Sequence, residues 1–573
     1  MTKTFFVTTP IYYVSAEPHI GSAYPTLFAD ILARFHKLDG YDVKFLTGTD
    51  EHGQKVEQSA KDEGKSPKDF VDNLSVRFRE ILNLLDLQPT HFDTLNDNFI
   101  RTTFPIHKKG VQEVWRVLVK NDWIYKGKYE GWYCVSDEAY YTEDELVKDG
   151  DNWKTTLGKK VEWRIEESYF FRLSEFQELL LNLYKKFPNL VRPEGKKSEV
   201  IAFVSGISIK DYNDGKAIKK DYLRDLSVSR NSFDWGIKIP VDTENNELLD
   251  AEGEWKPEIS KDARHVIYVW LDALFNYITA LDSENKGQDY KKYWLDSDKK
   301  INLVGKDILK FHAVYWPAFL IAYNYNRAEI SKLGGKPIDD FEKYIPSSVF
   351  AHGWLTNEGQ KISKSLGNGI YPYKEIEWLE QEYNVNKDVA RDYFKYYMLN
   401  CVPFGNDGDY SRTKLVEKVN SDLANKVGNL TKRTLDLIYK NFDAEIPNVA
   451  DFEEISNVDF ADFEKFIDDI EINGYVSEIL QIAEKTNKYL EEKEPWKLQK
   501  EGKTEEVLKT LYSSANSILK IAILLQPIVP FLAKSILEGL GYEGKVDFDK
   551  LNEKLKSGKI NEPKILIPRL ERR

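Results

Sequence analysis

Two short apolar runs rich in aromatic and β-branched residues, Phe5-Phe6-Val7-Thr8-Thr9 and Val43-Lys44-Phe45-Leu46, are each followed by helical spacing. Leu27, Phe28, Ile31, Leu32 and Phe35 follow the first, with Gly40 as a stop, and a helical stretch from Lys55 follows the second. Apolar runs of this length read as strands buried on both faces, and strands alternating with helices wind a parallel sheet. The pattern lapses between about Val111 and Asp225, where aromatics, Gly-Asp and Asp-Gly turns and charge clusters such as Lys196-Lys197-Ser198-Glu199 take over. It returns with Val266-Ile267-Tyr268-Val269-Trp270, Ile301-Asn302-Leu303-Val304 and Ser348-Val349-Phe350-Ala351, the last ahead of a Gly-rich loop. One sheet split by an insert satisfies this order. Pro10 is expected to end the first strand, and Trp270 to lie in the strand that starts at Val266.

After about Ser411 the signal is helical, with Leu415, Val419, Leu423 and Val427 at i+4 spacing and comparable stripes as far as Leu540. The most apolar stretch, Ile518 to Leu540, is interrupted by Lys520, Pro527, Pro530 and Lys534, so it reads as a buried helix pair and not as a membrane span. A chain of 573 residues exceeds one hydrophobic core and implies two or three domains. Its net charge of −13 argues against binding nucleic acid through bulk positive charge, while leaving room for local basic stripes. Cys134 and Cys401 are too few and too far apart for a disulfide framework, which fits a reducing compartment, and no signal peptide precedes Phe5.

Two segments carry chemistry. In "SAEPHIGSAY", residues 15–24, His19 and Gly21 fall where the first strand hands over to a helix, and the free N–H groups and dipole of a helix start favour an anion. A helix cap and a turn glycine explain the same residues without a ligand. In "GQKISKSLGN", residues 359–368, Lys361, Ser363 and Lys364 sit on a glycine-bounded loop near the end of the sheet. Two lysines there suit a triphosphate and the charge growing on departing pyrophosphate, although a solvated loop has the same composition.

Taken together and in this order, "HIGS" and "KISKS" resemble the signature pair of class I aminoacyl-tRNA synthetases, His-Ile-Gly-His and Lys-Met-Ser-Lys-Ser. Ser22 departs from the pattern, standing where the family has its second histidine. A serine still offers a hydrogen bond to a phosphate oxygen but no imidazole. Four further segments, Thr9-Pro10-Ile11-Tyr12-Tyr13-Val14, Thr47-Gly48-Thr49-Asp50-Glu51-His52-Gly53, Tyr268-Val269-Trp270-Leu271-Asp272-Ala273-Leu274 and Gly305-Lys306-Asp307-Ile308-Leu309-Lys310-Phe311-His312, resemble the methionyl branch of that family.

The resemblance implies an α/β fold: a Rossmann-type parallel sheet split by an inserted connective domain, followed by an all-α helical bundle. The expected divisions are a catalytic domain in two halves at 1–110 and 226–348, an insert at 111–225, a loop and stem-contact region at 349–410 and an anticodon-binding domain at 411–573. It implies His19, Lys361 and Lys364 as catalytic groups, and His19, Gly21, Ser22, Gly305, Asp307, Lys361, Ser363 and Lys364 as ATP-binding. Asp50 is implied to hold the substrate ammonium group, with Ile11, Tyr13, Trp270, Ala273, Leu274, Tyr277, Ile308 and His312 lining a methionine pocket. Aromatic and aliphatic walls suit a flexible thioether, with Tyr13 and His312 as donors toward its sulfur. Read without the family, Trp270 is ordinary core and Asp50 a helix cap.

Relatives commonly carry zinc knuckles in the insert. Here Asp137 stands three residues after Cys134 in place of a cysteine, so no structural zinc is expected. In "LANKVGNLTKR" and "EPWKL", Asn429 and Arg433 share a helix face and Trp496 follows Pro495, resembling elements that read an anticodon; a buried tryptophan and a capping asparagine are the plainer account. The implied partners are methionine, ATP with Mg²⁺, and tRNA(Met) including the initiator, with no membrane. A monomer and a cytoplasmic location are expected, with an organellar matrix as the alternative. Two rivals are an adenylating enzyme without RNA, which would lack Asn429, Arg433 and Trp496, and a non-catalytic RNA-binding relative, which would lack the loop lysines.

Overall fold

The structure, a computed structural model, describes residues 2–14, 17–87, 98–137, 139–141, 143–150, 152–240, 265–362, 368–446, 449, 452–455, 457–556 and 558–572. Six strands form one parallel sheet: β1 (Thr4–Tyr13), β2 (Asp42–Asp50), β3 (Phe99–Arg101), β4 (Val191–Arg192), β5 (Lys299–Gly305) and β6 (Ser348–His352), in the spatial order β3-β2-β1-β5-β6-β4. Phe5 and Val7 point into one core, shared with α1 (Ile20–Leu38), while Phe6 points into the other, shared with α2 (Val269–Thr279). Helices on both faces are why β1 reads as an unbroken apolar run. The strand order reverses between β1 and β5, and the crevice beyond the carboxyl ends of strands at such a switch is where open α/β sheets bind ligands.

Two expectations about elements are corrected. Pro10 does not end β1: the strand runs on to Tyr13, and the ladder slips, with Thr8 opposite Leu46 but Ile11 opposite Gly48. The missing proline N–H interrupts pairing at a bulge without terminating it. The run from Val266 divides after two residues. Val266–Ile267 pairs antiparallel with Ser229–Arg230 outside the main sheet, and Trp270 belongs to α2. Leu271, Leu274, Phe275 and Ile278 are all buried at helical spacing, so a continuous apolar run here marked a helix sunk in the core.

Between the two parts of the sheet, Ile124–Cys134 pairs with Ala139–Tyr141 and with Glu162–Phe171 in a separate antiparallel sheet, and the chain returns to the main sheet at β4, its edge. The C-terminal part is helical. Leu415, Val419, Leu423 and Val427 are fully buried. Strict i+4 spacing drifts by about 40° per step on a 3.6-residue helix, and widened π-type turns over Val419–Gly428 keep this stripe facing inward. The stretch from Ile518 forms the end of Thr504–Leu525 and, past Pro530, the helix Pro530–Gly539. No helix among the described residues is long and apolar enough to cross a membrane. The helical part packs against α1, where Phe35 stacks on Phe460 with ring centroids 5.8 Å apart.

Candidate active site at the switch point

His19 caps α1 with extended backbone, its Nδ1 accepting from the Gly21 N–H at 3.0 Å. An accepting Nδ1 leaves the ring hydrogen of the neutral imidazole on Nε2. Gly21 is required by this contact, since a Cβ there would lie 2.7 Å from Cε1 of His19. Ser22 donates its hydroxyl hydrogen to the His19 carbonyl at 2.8 Å, so in this arrangement its hydrogen is directed at the turn and not at a phosphate. The Ile20 N–H donates to the Ile370 carbonyl at 2.8 Å, tying the start of α1 to the chain that leaves the lysine loop.

That loop begins as a hairpin. Leu355–Asn357 pairs with Gln360–Lys361 through a two-residue turn in which Glu358 and Gly359 both have positive φ, 48° and 76°. Asp409 holds the turn, accepting from the Gly359 N–H at 2.7 Å and the Thr356 hydroxyl at 2.6 Å. The backbone of Lys361 pairs with Thr356; its side chain, and all of Ser363 and Lys364, lie outside the described residues.

Asp50 ends β2 in register with Tyr13 and is buried. Its neighbour Glu51 is locked by Arg101, whose Nε and Nη2 donate to Oε1 and Oε2 at 2.7 and 2.9 Å, with the Thr49 and Thr103 hydroxyls completing the shell. The expected pocket residues converge across the crevice. Trp270 stacks on Phe311 with centroids 3.8 Å apart, and Ala273, Leu274, Tyr277 and His312 are buried. Ile11, Tyr13, Trp270 and Ile308 are half-buried at the rim.

One expected role changes. Nδ1–H of His312 donates to the Ile308 carbonyl at 3.0 Å and Nε2 accepts from the Tyr277 hydroxyl at 2.8 Å. Burial pushes the pKa of this ring down to about 4, so it is neutral and has no N–H left for a thioether sulfur.

At the end of β5, Gly305 pairs in register with His352 of β6, and the Trp354 indole N–H reaches Oδ1 of Asp307 at 3.3 Å. Lys306 turns outward to Asp407 at 2.6 Å and lies over the Trp354 ring. In the insert, Asp137 accepts from the Cys134 thiol at 3.3 Å and the Tyr141 hydroxyl at 2.9 Å and pairs with Lys159. Among the described residues no group of three or more His, Cys, Asp or Glu is disposed to hold a metal ion. In the helical part the Arg433 guanidinium lies 5.3 Å from the centre of the Trp496 ring, both residues half-buried, with Asn429 exposed one turn before Arg433.

Sequence reasoning passed over a buried cluster in which Asp272 joins His52 and His107. Its signal was present in the charged residue inside the apolar run Tyr268 to Leu274.

Comparison with known proteins identifies the family. The family model described as tRNA synthetases class I (M) matches residues 5–151 and 148–435, and that of the anticodon binding domain of methionyl tRNA ligase matches 448–568. A methionine–tRNA ligase of Rickettsia conorii is 41% identical over 585 residues, covering 100% of both chains. One of Bacillus subtilis is 36% identical, covering 99% of this chain and 78% of its own. The methionyl-tRNA synthetase of Mycobacterium tuberculosis in complex with methionyl-adenylate superposes with a TM-score of 0.82 at 34% identity, covering 99% of this chain and 100% of the other. The chain therefore belongs to the methionyl-tRNA synthetases of class I.

Proposed function

We infer that this protein is a methionine–tRNA ligase: it activates methionine with ATP to methionyl-adenylate and pyrophosphate, then passes the methionyl group to the 3′-terminal ribose of tRNA(Met). The observation that carries the reading is the tie at the switch point between the start of α1, which follows His19, and the chain leaving the lysine loop, Ile20 N–H to Ile370 carbonyl, in a chain similar over its whole length to enzymes of that name.

In the first step a methionine carboxylate oxygen attacks the α-phosphorus in line, and the bond from that phosphorus to the bridging oxygen breaks as pyrophosphate leaves. In the second a ribose hydroxyl attacks the carbonyl carbon and AMP leaves. No group on the protein becomes covalently attached. Catalysis is positioning and charge stabilisation. His19, with its hydrogen on Nε2 at the positive end of α1, suits a phosphate oxygen, and Gly21 leaves room for the ring and orients it through its N–H. Lys361 and Lys364 neutralise the leaving pyrophosphate, with Ser363 beside them. Gly305 admits the ribose closely and Asp307 accepts from its hydroxyls. Asp50 pairs with the methionine ammonium group, and Ile11, Tyr13, Trp270, Ala273, Leu274, Tyr277, Ile308 and His312 enclose the side chain. Arg433 and Trp496 form a cation–π platform for an unpaired anticodon base, with Asn429 toward its edge.

Residues 1–110 and 226–348 serve as the catalytic domain, 111–225 as the connective insert, which lends β4 to the main sheet, 349–410 as loop and stem contact, and 411–573 as the anticodon domain. Mg²⁺ as the counter-ion of ATP, a monomeric state, a cytoplasmic location and use of the initiator tRNA complete the proposal and rest on the family resemblance alone. The match of residues 448–568 to an anticodon-binding domain disfavours an RNA-independent adenylating enzyme.

The test is charging. Methionine, ATP, Mg²⁺ and total bacterial tRNA should give acid-precipitable methionyl-tRNA whose ester is released by mild alkali. Charging with another amino acid in its place, or none, would overturn the reading.

A further inference from the structure

Asp272 lies fully buried on α2, about 200° around the helix from Trp270. Both its oxygens are engaged by imidazoles: Nδ1 of His52 lies 2.7 Å from Oδ2 and Nε2 of His107 lies 2.6 Å from Oδ1. His107 also meets the Thr279 hydroxyl at 2.7 Å through Nδ1, so one ring braces α2 at two points, two turns apart. A buried carboxylate is costly unless donors meet its lone pairs. Burial alone would raise its pKa, but His52 and His107 overcome that and hold it at about 2.

The three groups come from three segments. His52 stands two residues beyond Asp50 in the turn after β2. Asp272 belongs to the helix that carries Trp270, Ala273, Leu274 and Tyr277. His107 belongs to the helix Pro105–Lys120, whose Gly110 abuts α2 so closely that a Cβ would lie 2.6 Å from Thr279 Cγ2. The cluster thus stands behind the amino-acid pocket, between the Asp50 turn and α2.

We propose that Asp272, held by His52 and His107, is a positioning residue that sets the spacing of the two walls of the amino-acid pocket, the Asp50 turn and α2. It touches no substrate, and the proposal rests on the functional reading above. A residue that merely supports folding changes how many molecules are active, whereas one that spaces the walls changes methionine KM in every active molecule.

The two imidazole edges supply a discriminating test, because an asparagine amide nitrogen overlays Nδ1 and a glutamine amide nitrogen overlays Nε2. Methionine-dependent exchange of pyrophosphate into ATP is measured on parent and variants, with active sites counted by the adenylate burst. Asp272→Asn should raise methionine KM by about tenfold or more, the loss expected for a hydrogen bond to a buried charge, with ATP KM within about twofold of the parent. His52→Asn should stay within about threefold of the parent methionine KM and His52→Gln should behave like Asp272→Asn, whereas His107→Gln should be the milder of its pair with His107→Asn. If Asp272→Asn does not accumulate as folded protein, the His52 pair decides. Unchanged methionine KM in His52→Gln, equal effects of His52→Asn and His52→Gln, or losses fully explained by fewer active sites would overturn the proposal. A parent without methionine-dependent exchange would overturn the functional reading itself, which separates the two failures.

Discussion

The Tyr277 hydroxyl donates to Nε2 of His312 at 2.8 Å, a direction fixed from the far side of the ring, where Nδ1–H can only donate to the Ile308 carbonyl at 3.0 Å. In the proposed pocket His312 is therefore a neutral wall whose orientation Tyr277 helps to fix. Tyr277→Phe leaves a buried nitrogen without its donor, at a cost of about 1–3 kcal/mol. Methionine KM should rise by about tenfold and ATP KM should hold, as read by pyrophosphate exchange. Equal changes in both constants would show that Tyr277 supports the crevice as a whole.

His36 gives a pH dependence whose sign is defined. It is stacked on Phe5 at 3.8 Å, and burial pushes its pKa down to about 4 from the ordinary 6.5. Between those values the unfolded chain binds a proton that the native chain does not, so this group's contribution is whole above pH 6.5 and is lost as pH falls toward 4. Asp392, whose carboxyl burial raises to about 6, acts in the opposite sense, so the test is a difference between proteins. In urea titrations the stability of the parent relative to His36→Gln should decline by up to about 3 kcal/mol from pH 7 to pH 4. Parallel curves would contradict it.

Trp496, half-buried under Arg433, separates a base platform from a core residue. Trp496→Ala should lose about 1–3 kcal/mol of tRNA affinity and leave pyrophosphate exchange intact. A core tryptophan would instead cost about 3–5 kcal/mol of stability and lower every activity together. Thermal stability, exchange and charging measured on one preparation tell them apart.

Asp137 already accepts from Cys134 and Tyr141 and pairs with Lys159, which gives the tip of the insert its own closure. Chelator-treated protein should contain no stoichiometric zinc by mass spectrometry and keep its melting temperature. A retained equivalent of zinc would refute this account of Asp137.

The parts of the molecule legible in the sequence are those where one residue type meets one physical demand. The double-sided burial of β1, the stop at Gly40 with φ of 80°, and the stripe from Leu415 to Val427 all follow from apolar spacing and backbone freedom. The run from Val266 was misread because unbroken apolarity is common to a central strand and a sunken helix, and only tertiary packing chooses between them. Pro10 was misread because a bulge absorbs a missing N–H as well as a strand end does. The tautomer of His312 and the cluster around Asp272 depend on partners far along the chain, Tyr277 and Ile308 for one, His52 and His107 for the other. Motif matching gathers the residues of such sites without giving the direction of their hydrogen bonds.

The central claim is that this crevice activates methionine. Its most direct test is exchange of labelled pyrophosphate into ATP, with no tRNA present, for each of the common amino acids in turn. Methionine should support exchange strongly, and leucine, isoleucine and valine far more weakly, because the proposed walls Trp270, Leu274 and His312 suit an unbranched, flexible thioether better than a branched chain. Exchange driven equally well by another amino acid, or no exchange with methionine, would contradict the account.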